Sequence, residues 1–295
     1  MQRPAVLVIA ATDSSGGAGL TRDVRVLTDF AVDALCVVTA VTAQSDQEVS
    51  AVHHVPPEII RAQIAAAFAT RQIAAIKIGM LGTQATVEAV VAGLSALAAG
   101  QSRKLPFGAS SSGAPLSDRI PIVLDPVLVS SSGGVLLDAG GRAALTGSLF
   151  QLATLITPNV PEAAALLGEP VAVDEAGLIQ QGEKLLGFGS QAILLKGGHP
   201  YANGRYSGRN DGEDAVDLLI SGDAAGSRPA SGGPARGRFA NELSIERIHS
   251  KRVAGSSRGT GCALASGIAA GLAAGKPLSV ACHAAKRYVQ AMLAP

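Results

Sequence analysis

The sequence has few cysteines and no long apolar run, features that mark secreted, metal-binding or membrane proteins. Its 295 residues include three cysteines, Cys36, Cys262 and Cys282, which lie far apart and form no Cys-x-x-Cys pair. This spacing favours neither a disulfide framework nor a zinc site and fits a reducing compartment, so we expect a cytoplasmic protein. The apolar stretches 5–11 and 261–275 are shorter than the about 20 residues that a membrane-spanning helix needs.

Aromatic residues and net charge are also scarce. Aromatics make up 3% of the chain and tryptophan is absent, although hydrophobic residues reach 47%. This aliphatic composition, rich in alanine and glycine, suits buried parallel strands beneath closely packed helices. The 24 basic and 23 acidic residues give a net charge of +1, which provides no electrostatic attraction for nucleic acid or an anionic membrane. We therefore expect small-molecule partners, with no nucleic acid and no membrane.

Apolar runs alternate with helical patterns, which predicts repeated βαβ units and an α/β fold with a mainly parallel sheet. The predicted strands are 5–11, 35–39, 74–78, 120–124, 154–156 and 191–195. The predicted helices are 19–30, 57–70, 84–99, 139–145, 161–167, 175–187, 260–275 and 278–293. Segments 101–119 and 221–238 break this rhythm and are predicted to be flexible surface insertions in a single domain, 1–295.

Polar and glycine-rich segments follow the predicted strands, where ligands bind in an open parallel sheet. The first of them, 12–19, lacks the Gly-Lys-Ser/Thr ending of a P-loop. It also differs from the dinucleotide motif Gly-x-Gly-x-x-Gly, because Arg22 stands where the third glycine belongs. These differences disfavour NAD as a ligand.

The run Gly259-Thr260-Gly261-Cys262 opens a long stretch of small residues. It predicts a glycine loop that leads into a helix N-terminus, a place that attracts phosphate. We expect the Cys262 thiol there to ionise more easily than a free thiol, whose pKa is about 8.5. The alternative is a helix start whose glycines only allow close packing. The ladder of Gly267, Gly271 and Gly275 indicates close helix packing in either case.

Three further strand-end features each allow two interpretations. Asn159 and Glu162 have the spacing of a helix capping box, but they also suit a phosphate or metal role. Lys196 either places an ammonium against phosphates or is a solvated lysine at a strand end. Asp125, followed by a proline, either holds Mg²⁺ through water or accepts hydrogen bonds in a turn.

Seven ordered motifs carry a family resemblance over nearly the whole chain. They are Ile9–Gly19, Thr39–Gln44, Lys77–Leu81, Leu124–Val127, Ile156–Ala163, Leu195–His199 and Gly259–Cys262. The sequence resembles the hydroxymethylpyrimidine/phosphomethylpyrimidine kinases of the ribokinase superfamily. The resemblance implies a three-layer α/β/α sandwich with a central, mostly parallel sheet, and a homodimer. It also implies ATP-dependent phosphorylation of 4-amino-5-hydroxymethyl-2-methylpyrimidine and then of its monophosphate, in thiamine biosynthesis.

The same resemblance implies a role for each matching site residue. For the substrate, Gln44 would hydrogen-bond the aminopyrimidine from a polar turn, and the residues shaping its pocket would be Ala18, Asp23, Met80 and Val127. Asp125, Asn159 and Glu162 would lie near phosphate and Mg²⁺. Lys196 and Thr260 would contact ATP, and Gly259, Thr260, Gly261 and Cys262 would form an anion hole in which Cys262 takes the hydroxyl proton.

Alternatives remain for both residues and activity. Asp23 also suits a charge on a helix surface, and Met80 and Val127 also suit core positions. The chain departs from the family pattern, which commonly has Gly, Lys, His and Thr at the positions of Ala11, Ser131, Arg258 and Ala263. Arg258 would serve phosphate equally well or alter nucleotide handling. The alternative functions are a pyridoxal/pyridoxine kinase and a member that binds ligands without turnover.

Overall fold

The computed structural model describes residues 2–100, 120–130, 133–197, 214–222, 243–251 and 258–294. The first predicted insertion, 101–119, lies outside these residues, as do 223–238 of the second and Ser131. Residues 198 and 199 of one motif also lie outside them. Ser221, the predicted start of the second insertion, is the last residue of a strand, so that boundary is wrong.

The strands of the described chain form one large sheet and a separate hairpin. In chain order they are β1 (Ala5–Ala10), β2 (Asp33–Val38), β3 (Ala40–Gln44), β4 (Val49–His54), β5 (Ala75–Ile78), β6 (Ile122–Leu124), β7 (Leu155–Ile156), β8 (Ala192–Leu195), β9 (Asp214–Ser221) and β10 (Ser244–Lys251). The large sheet has the order β10-β9-β8-β7-β6-β5-β1-β2. Its pairs are parallel from β2 to β8 and antiparallel from β8 to β10, which confirms a mostly parallel sheet.

Eight α-helices connect or flank these strands in the described chain. They are α1 (Gly19–Asp29), α2 (Pro57–Thr70), α3 (Gln84–Gly100), α4 (Ala139–Ala144), α5 (Val160–Leu167), α6 (Glu175–Leu186), α7 (Thr260–Ala273) and α8 (Leu278–Leu293). Asp138 and Asp174 cap α4 and α6 by accepting a backbone N–H, and proline begins α2. All eight predicted helices are confirmed within two residues at each end. None of the helices in the described chain is long and apolar enough to cross a membrane.

The core consists of two apolar layers, one on each face of the sheet. Alternate residues of β1 belong to different layers: Leu7 and Ile9 belong to the apolar cluster that includes residues of α2, α3 and α6, whereas Val6 and Val8 belong to the one that includes residues of α1, α7 and α8. Because successive side chains of a strand point to opposite faces, a fully apolar β1 must be covered on both. This arrangement is the predicted three-layer α/β/α sandwich.

The hairpin β3–β4 is the main element that the sequence did not predict. The segment 42–44, predicted as a turn, is part of β3, so that prediction is wrong. β3 pairs with β4 and is hydrogen-bonded by Thr12 and Ser14, which lie 30 residues earlier. No local pattern reveals such a partner. Strands β9 and β10 were missed as well.

Gly267 and Gly271 allow α7 to lie directly against α8. A Cβ on Gly271 would lie 2.7 Å from the Cβ of Ala281, and one on Gly267 would lie 3.0 Å from the Cβ of Ala285. Both contacts are closer than side chains normally approach. Gly267 and Gly271 therefore serve helix packing, as predicted, but Gly275 does not: it lies past the end of α7, has a φ of +76° and has nothing within 4 Å of an added Cβ.

We expect Gly271→Ala to lower the free energy of unfolding by about 1–2 kcal/mol, because the overpacking cost exceeds the about 1 kcal/mol by which alanine favours a helix. Urea denaturation measures this change. Gly147→Ala is the matched control, since Gly147 is exposed in the helical stretch Leu145–Leu149 and has nothing within 4 Å of an added Cβ. The control should be neutral or stabilising by up to about 1 kcal/mol. Equal effects of the two substitutions would contradict the packing argument.

Candidate active site

The segment after β1, residues 12–18, is shaped by one buried carboxylate. Asp13 accepts hydrogen bonds from the N–H and hydroxyl of Ser15 at 2.9 and 2.8 Å and from the N–H of Ala18 at 2.8 Å. Arg258 adds an ion pair at 3.1 Å. A buried carboxylate needs such partners, because desolvation disfavours its charge. Asp13 therefore fixes the loop that places Ala18 at the start of α1.

The hairpin carries Gln44 next to this loop. The Ser14 hydroxyl donates to the carbonyl of Gln44 at 2.7 Å and accepts from its N–H at 2.8 Å. Two further hydrogen bonds, of 2.8 and 3.2 Å, join Thr42 to Thr12. These bonds hold the backbone of Gln44, whose side-chain amide offers both a donor and an acceptor to a ligand.

The loop before α7 meets the first loop at backbone contact. Gly259 has a φ of +75°, and a Cβ there would lie 2.2 Å from the carbonyl oxygen of Gly17. Only glycine fits both this conformation and this contact. Thr260, Gly261 and Cys262 form the first turn of α7, whose N–H groups have no partner inside the helix. The helix N-terminus predicted for this run is confirmed.

Two charged side chains from strand ends, Lys196 and Asp125, lie against this turn, and Glu162 of α5 lies near Lys196. Lys196 Nζ is 2.8 Å from Asp125 Oδ1 and 3.9 Å from Glu162 Oε2. A Cβ on Gly261 would lie 3.3 Å from Lys196 Nζ and 3.4 Å from Asp125 Oδ2. The side chain of Lys196 is 14% exposed, which excludes the solvated lysine considered as an alternative. The cluster combines an ammonium, two carboxylates and backbone donors at one place.

Glu162 both caps helix α5 and lies near the ammonium of Lys196. It completes the predicted capping box: its N–H donates to Asn159 Oδ1, and its Oε2 accepts the N–H of Asn159, both at 2.8 Å. The pKa of Glu162 is raised to about 6, mainly by burial; the ammonium of Lys196 opposes this shift, and the nearby Asp125 adds to it. The capping interpretation is confirmed, and the same carboxylate borders the ammonium of Lys196.

Asp125 and Glu162 suit a magnesium ion that keeps much of its water. Asp125 Oδ1 receives hydrogen bonds from Lys196 and Thr157, while Oδ2 faces Gly261. Within the residues that the structure describes, no three His, Cys, Asp or Glu side chains converge as a metal cluster. Mg²⁺ is typically held by one or two carboxylates, several waters and substrate phosphates, so two carboxylates fit it.

Asp23 lies in the interior rather than on the surface of α1. Its carboxylate pairs with Lys77 Nζ at 2.8 Å and accepts a hydrogen bond from the Ser266 hydroxyl at 2.8 Å. The side chains of Asp23 and Lys77 are 0% exposed, which excludes the alternative of a surface charge. Ser266 follows Cys262 by one turn of α7, so the ion pair lies beneath the first turn of that helix.

Lys77 is a site residue that the sequence analysis missed. It lies in β5, whose other three residues are alanine and isoleucine, and it is among the largest fully buried side chains. Lysine is seldom fully buried unless it is paired. A lysine inside an otherwise apolar strand was therefore the available signal for a buried ion pair.

The expectation that Cys262 ionises easily is wrong in this structure. Burial raises the pKa of Cys262 to about 11, and the carboxylates of Asp23 and Asp125 act in the same direction. The Lys77 ammonium and the N–H of Gly19 lower the pKa, but they do not offset burial. Desolvation therefore outweighs the field of the helix N-terminus at this sulfur.

Met80 and Val127 occupy different places. Met80 lines a cavity of about 300 Å³, together with Val52 and His54 of β4 and Leu137. Val127 is half-buried two residues after Asp125. Among the described residues, the lining of this cavity includes neither Gln44 nor Val127. The structure thus places Met80 beside the hairpin, and the shared substrate pocket stays a prediction.

Sequence comparison identifies the family. The phosphomethylpyrimidine kinase family profile matches residues 13–294. The chain belongs to this family. A hydroxymethylpyrimidine/phosphomethylpyrimidine kinase from Rhizobium meliloti is 36% identical over 287 residues, which are 97% of this chain and 89% of that protein. A thiamine biosynthesis bifunctional protein from Geobacter sulfurreducens is 35% identical over 291 residues, 99% of this chain and 49% of that protein.

Solved structures agree with this assignment. The crystal structure of phosphomethylpyrimidine kinase from Clostridium difficile has a TM-score of 0.71 at 28% identity and covers 99% of this chain and 100% of its own. An ADP complex of Bacillus subtilis pyridoxal kinase has a TM-score of 0.73 at 24% identity, covering 98% and 91%, which shows a common fold. The predicted family, its ribokinase-like fold and its kinase class are confirmed for this member of the phosphomethylpyrimidine kinase family.

The buried ion pair yields a stability prediction. Lys77→Met leaves the Asp23 carboxylate buried without its cation, so we expect a loss of about 3–5 kcal/mol in the free energy of unfolding. The double variant Lys77→Met/Asp23→Asn should regain much of that loss, because it buries no unpaired charge. Lys184→Met is the control, since its 2.6 Å pair with Glu169 is exposed; it should cost at most about 1 kcal/mol. Similar losses for Lys77→Met and the control would contradict this account.

The raised pKa of Cys262 yields a reactivity prediction. At pH 8 a thiol of pKa about 11 holds roughly 100-fold less thiolate than one of pKa 9.0, the ordinary value. We therefore expect iodoacetamide to modify Cys262 about 100-fold more slowly in the native protein than in urea, followed by the mass of its peptide. If Cys262 were modified as fast in the native protein as in urea, the effect of the helix N-terminus on the thiol pKa would outweigh that of burial.

Proposed function

We propose that this chain transfers the γ-phosphoryl group of ATP to the hydroxymethyl oxygen of 4-amino-5-hydroxymethyl-2-methylpyrimidine, and then phosphorylates the monophosphate to the diphosphate. The observation that carries this proposal is the contact of Gly261 with Lys196 and Asp125, which sets backbone donors, a cation and a carboxylate around one point. Phosphoryl transfer is achieved mostly by positioning and by stabilising charge, which is what such a cluster supplies.

The pyrimidine is held from the hairpin side of the cluster. The amide of Gln44 offers the donor and acceptor that pair with the ring nitrogen and exocyclic amine of an aminopyrimidine. Its backbone is anchored by Ser14, and the loop with Ala18 lies beside it. Asp23, Met80 and Val127 complete the pocket in this proposal, with Asp23 acting from beneath through its buried pair.

The phosphates of ATP bind over the first turn of α7. The N–H groups of Gly259–Cys262 and the ammonium of Lys196 stabilise the equatorial oxygens of the γ-phosphoryl group, where negative charge accumulates. The hydroxyl of Thr260 and the side chain of Asn159 border the same region. Asp125 and Glu162 would hold Mg²⁺ through water, and the ion would supply positive charge that offsets the negative charge of the phosphates.

Cys262 assists the reaction but does not dominate it. The substrate hydroxyl oxygen forms the new P–O bond, the bond to ADP breaks, and the hydroxyl proton must leave late in a loose transition state. With a pKa raised to about 11, Cys262 is mostly a thiol near neutral pH, so its capacity as a base is small before phosphate and substrate alter its surroundings. This supports a contribution to the rate at the lower end of the range that general-base catalysis provides.

A cytoplasmic homodimer and a single domain that includes both insertions stay predictions. Size-exclusion chromatography with light scattering measures the oligomeric state. Limited proteolysis tests the insertions, since a single domain should keep its core fragments associated after cleavage within 101–119 or 223–238.

The activity is tested with purified protein, Mg²⁺ and ATP, offering hydroxymethylpyrimidine, its monophosphate and pyridoxal in parallel and identifying products by mass. The proposal requires the mono- and diphosphate of the pyrimidine. Pyridoxal phosphate as the only product would assign the chain to pyridoxal kinase activity. Ligand binding without any product would make it a binder without turnover.

We expect Cys262→Ala to lower turnover about 100-fold while leaving the Kd for ATP within about twofold, because general-base assistance contributes at least about 100-fold where it operates. Steady-state kinetics and calorimetric titration measure the two quantities. Cys36→Ala is the matched control, since Cys36 lies on the edge strand β2 and is exposed. Unchanged turnover of Cys262→Ala would remove the base role.

A further inference from the structure

Arg258 connects three segments of the site through one guanidinium. Nη2 lies 3.1 Å from Asp13 Oδ2, in the first loop, and Nη1 lies 3.0 Å from the hydroxyl of Ser15. Nη1 also donates to the carbonyl of Ser45 at 2.5 Å and pairs with Asp46 at 3.0 Å, both in the turn of the hairpin. Arg258 itself immediately precedes Gly259, so its backbone belongs to the loop before α7.

These contacts differ from those of an ordinary surface arginine. The side chain of Arg258 is 15% exposed and that of Asp13 is 2% exposed, although Asp46 is 83% exposed. The ion pair of Arg258 with Asp13 is therefore shielded from solvent, whereas its ion pair with Asp46 is open to screening by water and salt. A planar guanidinium with five N–H donors can serve several acceptors in fixed directions, which an ammonium cannot do.

Hydrogen bonds hold the hairpin at two places, near its base and at its turn, and Arg258 acts at the turn. Near its base, Thr42 bonds to Thr12 and the backbone of Gln44 bonds to Ser14. Beyond Gln44, the turn is closed by the bond from Ser45 N–H to the carbonyl of Glu48 at 2.9 Å. Arg258 binds this turn, one residue past Gln44. It therefore restrains the part of the hairpin that lies beyond the bonds from Thr12 and Ser14.

We propose that Arg258 is a positioning residue for the pyrimidine. It holds the turn 45–48 against the first loop, and this fixes Gln44 beside that loop. The consequence for substrate binding rests on the proposed function, whereas the restraint on the turn does not. The sequence-based expectation that Arg258 serves phosphate or alters nucleotide handling differs from this assignment, because its guanidinium is engaged by Asp13 and Asp46.

The restraint is tested by hydrogen–deuterium exchange in Arg258→Met, which keeps most of the apolar stem and removes the donors. We expect amide exchange in 44–49 to rise at least about fivefold, with the base of the hairpin, 40–42, changed less than twofold. Arg22→Met is the matched control, since Arg22 also binds the first loop, through the carbonyl of Gly17 at 3.1 Å, but its hydrogen bonds in the described chain go to Gly17 and Met292 rather than to the hairpin turn. Faster exchange in both variants, or in neither, would overturn the restraint.

The effect on the substrate is tested by kinetics of the same variants. Arg258→Met should raise KM for hydroxymethylpyrimidine about tenfold, which corresponds to about 1.4 kcal/mol, while KM for ATP stays within about twofold. Asp46→Ala, which removes only the exposed acceptor, should raise the pyrimidine KM less than threefold and add little to Arg258→Met. An increase confined to KM for ATP would assign Arg258 to the phosphates and overturn the proposal.

The two experiments separate this inference from the proposed function. If no variant and no parent protein forms product, the proposed function fails, and the exchange data still decide the restraint. If the parent protein is active and exchange at 44–49 is unchanged in Arg258→Met, the positioning role fails while the kinase activity stands. A thermal melt of Arg258→Met near that of Arg22→Met excludes general unfolding as the cause of faster exchange.

Discussion

The close approach of α7 to the strand ends is the constraint on which the site depends. Gly259 meets the carbonyl of Gly17 at a distance that leaves no room for a side chain, and a Cβ on Gly261 would lie 3.3 Å from Lys196 Nζ and 3.4 Å from Asp125 Oδ2. A Cβ at Gly259 would push the helix start away from the first loop, and one at Gly261 would crowd the charged cluster. These two glycines thus let the backbone donors of α7 and the charged cluster share one small space.

The charged side chains around this space form ion pairs. Lys77 with Asp23 and Lys196 with Asp125 place two ammonium groups and two carboxylates near Cys262, one pair beneath the helix turn and one beside it. Burial of an ion is tolerated when a partner and hydrogen bonds accompany it. The same enclosure raises the pKa of Cys262, so the region is built to receive charge from a ligand rather than to hold a free thiolate.

The sequence revealed most of the fold because its periodic signals are strong. The fully buried β1 and the long helices α2 and α8 have apolar patterns and end signals that are local. The hairpin was missed because Thr42 and Gln44 are polar and are held by Thr12 and Ser14, distant in sequence. At the site, motifs located Lys196 and Asp125. The ion pairs of Lys77 and Arg258 depend on which side chains lie close together in the folded protein. No rule of sequence spacing predicts those partners.

The sheet order also has a consequence during synthesis of the protein. One face of β1, with Val6 and Val8, is covered partly by Leu264 and Ile268 of α7, which the ribosome makes much later than β1. At about 5–20 residues per second, roughly 13 to 52 s separate the synthesis of Val6 from that of Leu264. During that interval an apolar face of the nascent sheet is open to other chains. The yield of native protein in a cell therefore depends on how well this face is shielded until α7 has been made.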